Sequence, residues 1–244
     1  MRLNDKEQIA IIKNFNAIFM AGDIYLFGSR VDNNKKGGDI DLFIDTKDVD
    51  NLLSKKNQLL NAIKAEIGEQ KIDIVISTDP SREIEKQARK TGVKLNMDQL
   101  RQEKIISECE KHLMRLSYAK QELAETFPLT EQQYINLSQE RVQDIDQFIY
   151  RFSKLQDTVG NKLIKIVTAL YEENIERMTV IDMLNRLEKA GILLANEWQI
   201  LRELRNALSH DYEDEPQAST ELLNAVYEKS VILEKIYYNL KNKI

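Results

Sequence analysis

Asp39 and Asp41 stand one residue apart in GDIDLFID, residues 38–45, and Asp73 sits in the middle of KIDIVI, residues 71–76. Side chains alternate across a strand, so a strand over the first run turns Asp39 and Asp41 to one face and Ile40 and Leu42 to the other. Two carboxylates on one face repel each other unless a cation lies between them, and hard divalent ions such as Mg²⁺ take oxygen ligands of this kind. A carboxylate inside an apolar strand, as Asp73 would be, is costly to bury without a partner. Three aspartates from two strands can hold two metal ions roughly 4 Å apart and clamp both oxygens of an in-line phosphoryl displacement. Just upstream, YLFGSR ends an apolar run on Gly28 and Ser29. A glycine there lets the backbone approach a phosphate, and a serine hydroxyl with nearby N–H groups can hold a triphosphate. Each piece alone has a plainer reading: a surface strand end, a turn, an aspartate paired with a buried base. Their order within one short segment favours the catalytic combination.

A second constellation lies in RNALSHDY, residues 205–212. Arg205 and His210 are five residues apart, about 140° around a regular helix. An arginine that holds a phosphate and a histidine that moves a proton are the minimum for metal-free RNA cleavage through the 2′-hydroxyl. The same residues also read as a helix end, with His210 meeting the dipole and Arg205 paired with Glu203 or Asp211.

The elements that must position these groups fall into two kinds. Asn4 and Glu7 have capping-box spacing, and Ile9, Ile12, Phe15 and Phe19 follow at helical intervals. Strand patterns cover residues 23–27, 39–44 and 71–76. A helix carries Leu52, Leu59, Leu60, Ile63 and Ile67 before Gly68, and a shorter one opens at Asp79-Pro80 and ends near Gly92. Strands separated by helices over residues 1–96 predict a small domain with one mixed sheet and flanking helices. From residue 101 the strand patterns vanish, and helices are expected over 101–125, 131–172, 179–190, 195–210 and 217–242. The fold class is therefore α+β: a mixed-sheet domain (1–96), a short polar linker (97–100) and an all-α bundle (101–244).

Apolar residues make up 42% of the chain and charged residues 31%, enough for both a core and solubility. Residues 1–100 hold 16 basic and 16 acidic side chains, so the whole net charge of −5 belongs to the second part. A general nucleic-acid binder carries a basic surface, so any such contact must be local or made with a metal in place. The single cysteine, Cys109, excludes an internal disulfide framework. No charged-then-apolar leader and no membrane-length apolar run stands out, so a cytoplasmic protein without a membrane partner is expected. Cys109 and His112 are three apart on one helix, and two ligands do not make a zinc site. Trp198 reads as bundle core. Tyr227, Tyr237 and Tyr238 read as core or dimer surface rather than a stacking platform for bases.

LFGSR, GDIDLFID and KIDIVI together resemble the minimal nucleotidyltransferase (MNT) domains of the DNA polymerase β-like nucleotidyltransferase superfamily, over residues 1 to about 96. The resemblance implies ATP as substrate, with Gly28 and Ser29 on the triphosphate and two Mg²⁺ ions on Asp39, Asp41 and Asp73. It also gives Asp73 the activation of the attacking hydroxyl. Arg30 is expected either on a phosphate or paired with Asp32 or Asp39, and Lys35 and Lys36 either near the triphosphate or in solvent. Residues 130–240, through FIYRFSKLQDTVG, MLNRLEKAGIL and ELRNALSHDYEDEP, resemble HEPN domains, which are encoded beside MNT proteins in toxin–antitoxin pairs. That resemblance implies a ribonuclease active as a dimer, with Arg205 and His210 as its catalytic pair and RNA as its partner. It further implies that the MNT part silences the nuclease by placing AMP on Tyr212. Gln156 and Asp157 either border the same cleft or belong to a buried polar network. Two further readings stand beside this one: transfer to a small molecule or external acceptor bound by the helical part, and a non-enzymatic nucleotide-sensing module.

Overall fold

Asn4 caps the first helix. Its side chain accepts from the Glu7 N–H, and Glu7 Oε2 accepts from the Asn4 N–H at 2.7 Å, the reciprocal capping box expected from the spacing. Helix α1 (Asp5–Ile18) buries Ile11, Ile12 and Phe15. It is followed by β1 (Asp23–Phe27), a 3₁₀ turn (Gly28–Val31), β2 (Ile40–Asp45), α2 (Leu52–Ile67), β3 (Ile72–Ile76), α3 (Glu83–Thr91) and β4 (Val93–Lys94). The computed structural model describes residues 1–32, 34, 38–47, 50–209 and 215–244. Lys35, Lys36, His210 and Tyr212, each singled out from the sequence, lie outside the described residues.

Among the described residues the strands form one sheet in the order β3-β2-β1-β4. Strands β2 and β3 are parallel, and β1 is antiparallel to both β2 and β4. The sheet is mixed and the chain α+β, as the sequence predicts. Ile40, Leu42 and Ile44 point to one face and are fully buried with Leu59 and Ile63 of α2 and Ile11 of α1. The other face carries a much smaller cluster, Phe27, Phe43 and Ala88, with α3 supplying the alanine. Period-two alternation puts Asp41 on this second, partly covered face, beside its register partners Phe27 and Asp73. One face is sealed, and the other leaves room for carboxylates.

Two local expectations change. Asp79-Pro80 does not open a helix: Ser81 donates to Asp79 Oδ1, Arg82 N–H donates to Asp79 O, and α3 starts only at Glu83. The buried Glu85 fixes this turn by accepting from the Thr78 and Asp79 N–H groups and the Ser77 hydroxyl. Those bonds hold its carboxyl below the usual range although burial acts in the opposite direction. Strand β4 has only two residues, too few for a readable alternation.

The chain divides into two compact units, Met1–Arg101 and Gln102–Ile244. Residues 97–100, read as a linker, form the first turn of α4 (Met97–Glu122). The second unit continues with α5 (Glu131–Ile135), α6 (Gln139–Thr158), α7 (Ile164–Thr168), α8 (Val180–Lys189), α9 (Ala195–Ala207) and α10 (Pro216–Lys241). The single helix expected over 131–172 is broken twice. Ser138 accepts from the Arg141 N–H and starts α6 anew. A π turn at Val159–Leu163 then joins α6 to α7. Gly160 lies in that turn against Trp198, where an added Cβ would stand 2.8 Å from Trp198 Cζ2. The core of this unit gathers Phe148, Phe152, Leu155, Trp198, Leu233 and Tyr237. Tyr227 stacks on Phe127 with ring centroids 4.4 Å apart, whereas Tyr238 is 45% exposed. Helix α9 ends at Ala207, three residues earlier than expected. Among the described residues no helix is long and apolar enough to cross a membrane.

Candidate active site

Strand β1 delivers the chain to Gly28, whose φ of 74° lies in the left-handed region. A Cβ there would sit 2.2 Å from Asp41 Oδ2, so the position is closed to any side chain by the carboxylate as well as by the backbone. Asp41 lies between β1 and β3, with Phe27 as its antiparallel partner and Asp73 as its parallel one. Asp39 precedes β2. The structure thus brings Gly28, Asp39, Asp41 and Asp73 to one end of the sheet, with Ser29 next in the 3₁₀ turn.

The electrostatics match that crowding. Asp41 holds its proton more tightly than an ordinary carboxyl, first because burial disfavours its charge and then because Asp73 and Asp39 repel it. Lys71 and Arg30 act in the opposite direction. Lys71 is the group that sequence reasoning missed. Its ammonium stands 2.5 Å from Asp39 Oδ2 and 3.8 Å from Asp73 Oδ2, and the bond to Asp39 raises its affinity for a proton. The available signal was spacing: Lys71 precedes Asp73 by two residues and therefore shares its face. Among the described residues no group of three or more His, Cys, Asp or Glu side chains stands ready-placed around a metal position. The donor set nevertheless suits a hard divalent cation, because the carboxylates come from adjoining strands and have already drawn one cation among them.

Arg30 takes neither of the carboxylate partners expected for it. Its Nη1 pairs with Glu7 Oε1 at 3.2 Å, with side chains only 11% and 8% exposed. Nε and Nη2 donate to Gly38 O, and Nη2 also donates to Gln70 Oε1 at 3.0 Å. Arg30 is a buried tie between α1, the segment before β2 and the segment before β3; its carboxylate partner is Glu7, not Asp32 or Asp39. Arg2 completes the frame by donating to Ser29 O and Asp32 O. These contacts hold the Gly28–Val31 turn against the start of α1.

Residues 7–99 match the family model for polymerase β nucleotidyltransferases. The match lies within the first unit. No curated protein and no solved structure matches the chain. The matched segment includes Gly28, Ser29 and all three aspartates, together with Lys71 and the Glu7–Arg30 pair.

The second unit has a separate cleft of about 290 Å³ between α6, the π turn and α9. Arg205 enters it and donates through Nη2 to Asp157, 3.0 Å from Oδ1 and 3.1 Å from Oδ2. This carboxylate partner is not Glu203; Nη1 also donates to Asn206 Oδ1 at 3.5 Å, and Asp211 lies outside the described residues. Gln156, Asn161 and Arg202 line the same cleft, and the buried Arg205 Nε has no hydrogen-bond partner. Gln156 and Asp157 therefore border the cleft that Arg205 enters. Trp198 is core, as expected, and also forms one wall. Cys109 is buried, and burial pushes its thiol up to about 12, which makes it inert rather than metal-binding.

Proposed function

We propose that the first unit transfers AMP from ATP to the hydroxyl of Tyr212, in a reaction that depends on Mg²⁺, and that this modification restrains a HEPN-like ribonuclease in the second unit. The observation that carries the reading is the placement of Asp41 between Gly28 and Asp73, with Asp39 alongside, on the open face of the sheet. The match to polymerase β nucleotidyltransferases over residues 7–99 supports it.

Asp39, Asp41 and Asp73 would hold the metal, which supplies charge neutralisation at the triphosphate when bound. Gly28 and Ser29 bind the phosphates at the end of β1 and fix the α-phosphorus in line with the acceptor. The Asp73 carboxylate accepts the phenolic proton as the tyrosine oxygen bonds to the α-phosphorus. The bond from that phosphorus to the bridging oxygen breaks, and pyrophosphate leaves. Arg30 holds the Gly28–Val31 turn in place beside the phosphates.

Arg205 is the phosphate-binding group of the nuclease reading, and its pairing with Asp157 keeps the guanidinium aimed into the cleft. An adenylate on Tyr212 adds a bulky anion two residues from His210 and repels RNA phosphate there. Transfer runs within one chain or between the protomers of a homodimer formed through the helical unit. Mass spectrometry of the protein with ATP and Mg²⁺ tests the reading, beside Asp41→Asn and Tyr212→Phe. AMP mapped to Tyr212 and absent from both variants supports it. ATP consumption with Tyr212 unmodified replaces it with transfer to a small-molecule or external acceptor.

A further inference from the structure

A cluster of basic groups on α4 and α6 has no part in either site above. His112 and Arg115 come from α4, and Arg151 and Lys154 from α6. Residues 101–244 carry 24 acidic and 19 basic side chains, and several of the cations pair with carboxylates. Arg141, Lys162, Arg186, Arg205, Lys235 and Lys241 all do. Among the described residues Arg115, Arg151 and Lys154 have no carboxylate at ion-pair distance. Glu108, the acid whose charge acts on His112, is already engaged by Lys162 at 2.7 Å and by the Thr158 hydroxyl at 3.2 Å.

What holds these cations is neutral. Arg151 Nη1 lies 3.4 Å from His112 Nδ1, and the Arg151 guanidinium sits over the Tyr150 ring, 4.9 Å from its centroid. The Lys154 ammonium is 5.7 Å from the same centroid. Arg151 Nε is buried and has no hydrogen-bond partner. His112 is held below its usual pKa, first by burial and then by the charge of Arg151, with Arg115 and Lys154 adding to the effect and Glu108 opposing it. A neutral imidazole accepts a hydrogen bond from Arg151 and leaves the positive charge uncompensated. Arg115 and Lys154 are exposed and Arg151 is partly buried, so an external anion can reach this set of charges.

We propose that this face, Arg115, Arg151 and Lys154 around the half-exposed ring of Tyr150, binds single-stranded nucleic acid through its phosphates. Cations beside an accessible aromatic ring are the two elements such a strand requires, charge for the backbone and a π-face for a base. Tyr150, Lys154 and Asp157 stand at i, i+4 and i+7 on one face of α6, about 10 Å end to end. A strand laid on Tyr150 and Lys154 is thereby led to the cleft where Asp157 holds Arg205. The proposal deepens the nuclease reading of the second unit, yet a binding measurement needs no cleavage, so the two fail separately.

The test is fluorescence anisotropy of a labelled single-stranded RNA of mixed sequence, titrated with the full-length protein over a range of salt. The variants are Arg115→Gln and Lys154→Gln, singly and together, Tyr150→Ala, and Lys235→Gln as a control on α10 with the same charge change as each single variant. The double variant is expected to lower the slope of log K against log salt by about 1.4, at roughly 0.7 per phosphate contact. Tyr150→Ala is expected to weaken binding roughly tenfold, and Lys235→Gln to leave it unchanged. Circular dichroism confirms that each variant is folded. No binding at low salt, equal loss in the control, or release by stoichiometric ATP would overturn the proposal. Binding that follows this pattern without any cleavage upholds it and removes the nuclease reading.

Discussion

The Lys71 ammonium donates to Asp39 Oδ2 at 2.5 Å and lies 3.8 Å from Asp73, so a side-chain cation already serves the carboxylates that would hold a metal. Lys71 is well exposed and sits at the end of a flexible stem, so it can withdraw when a divalent ion enters. Replacing it with methionine leaves the aspartates without a counter-charge. In thermal melts, Mg²⁺ is expected to raise the Tm of Lys71→Met more than that of the wild type. An equal or smaller rise would show that Lys71 does not compete for the site.

Asp41 should make the metal-free protein less stable as pH rises. Its proton affinity is raised above the ordinary value of 3.8 in the folded state, so the folded chain binds more protons than the unfolded one between the two pKa values. Stability then falls as pH climbs through that window and stays lower above it. Asp41→Asn has no charge to repel, so it is expected to be more stable than the wild type at neutral pH in chelator, and inactive. The stability difference should shrink toward the acid end in urea titrations. A gap that is constant with pH would place its cause in packing instead.

Gly28 and Gly68 separate backbone strain from collision. Both have positive φ, 74° and 91°, but only at Gly28 would a Cβ strike Asp41, whereas nothing lies within 4 Å at Gly68. Gly68→Ala is expected to cost about 1–2 kcal/mol from the left-handed backbone alone. Gly28→Ala should cost more and also abolish nucleotidyl transfer, because Asp41 must move. Chemical denaturation and an activity assay distinguish the two.

Arg30→Met tests a structural assignment against a ligand-binding one. Breaking the buried pair with Glu7 is expected to destabilise the first unit by about 3 kcal/mol. Glu7→Leu should do the same, although Glu7 belongs to the start of α1. The double variant should recover part of the loss, since no buried charge is then left alone. Additive losses in urea unfolding would argue that the two residues do not act as a pair.

Much of this was legible before any coordinates. The Asn4–Glu7 capping box, β1 to its last residue and α2 up to Gly68 all follow from local rules of capping, alternation and glycine termination. The shared face of Asp41 and Asp73 could be foreseen only in part, because alternation fixes which residues within one strand agree but not which strand lies beside another. Helix breaks were harder. Ser138 is a cap only because α5 has already stopped, and the π turn at Gly160 depends on the Trp198 ring nearly forty residues away.

The sequence by itself determined the alternating pattern that sets three aspartates in strands, the helical periodicity after residue 101, and the residue types suited to phosphate chemistry. Only the tertiary structure decided the partners. Glu7 rather than Asp32 or Asp39 neutralises Arg30, Asp157 rather than Glu203 holds Arg205, and Lys71 reaches Asp39. The physical reason is range. Backbone geometry and side-chain alternation act over a few residues, and the chain displays them in order. A charge pairs with whatever carboxylate the packed backbone brings within a few ångströms, and between Asp157 and Arg205 that choice spans 48 residues.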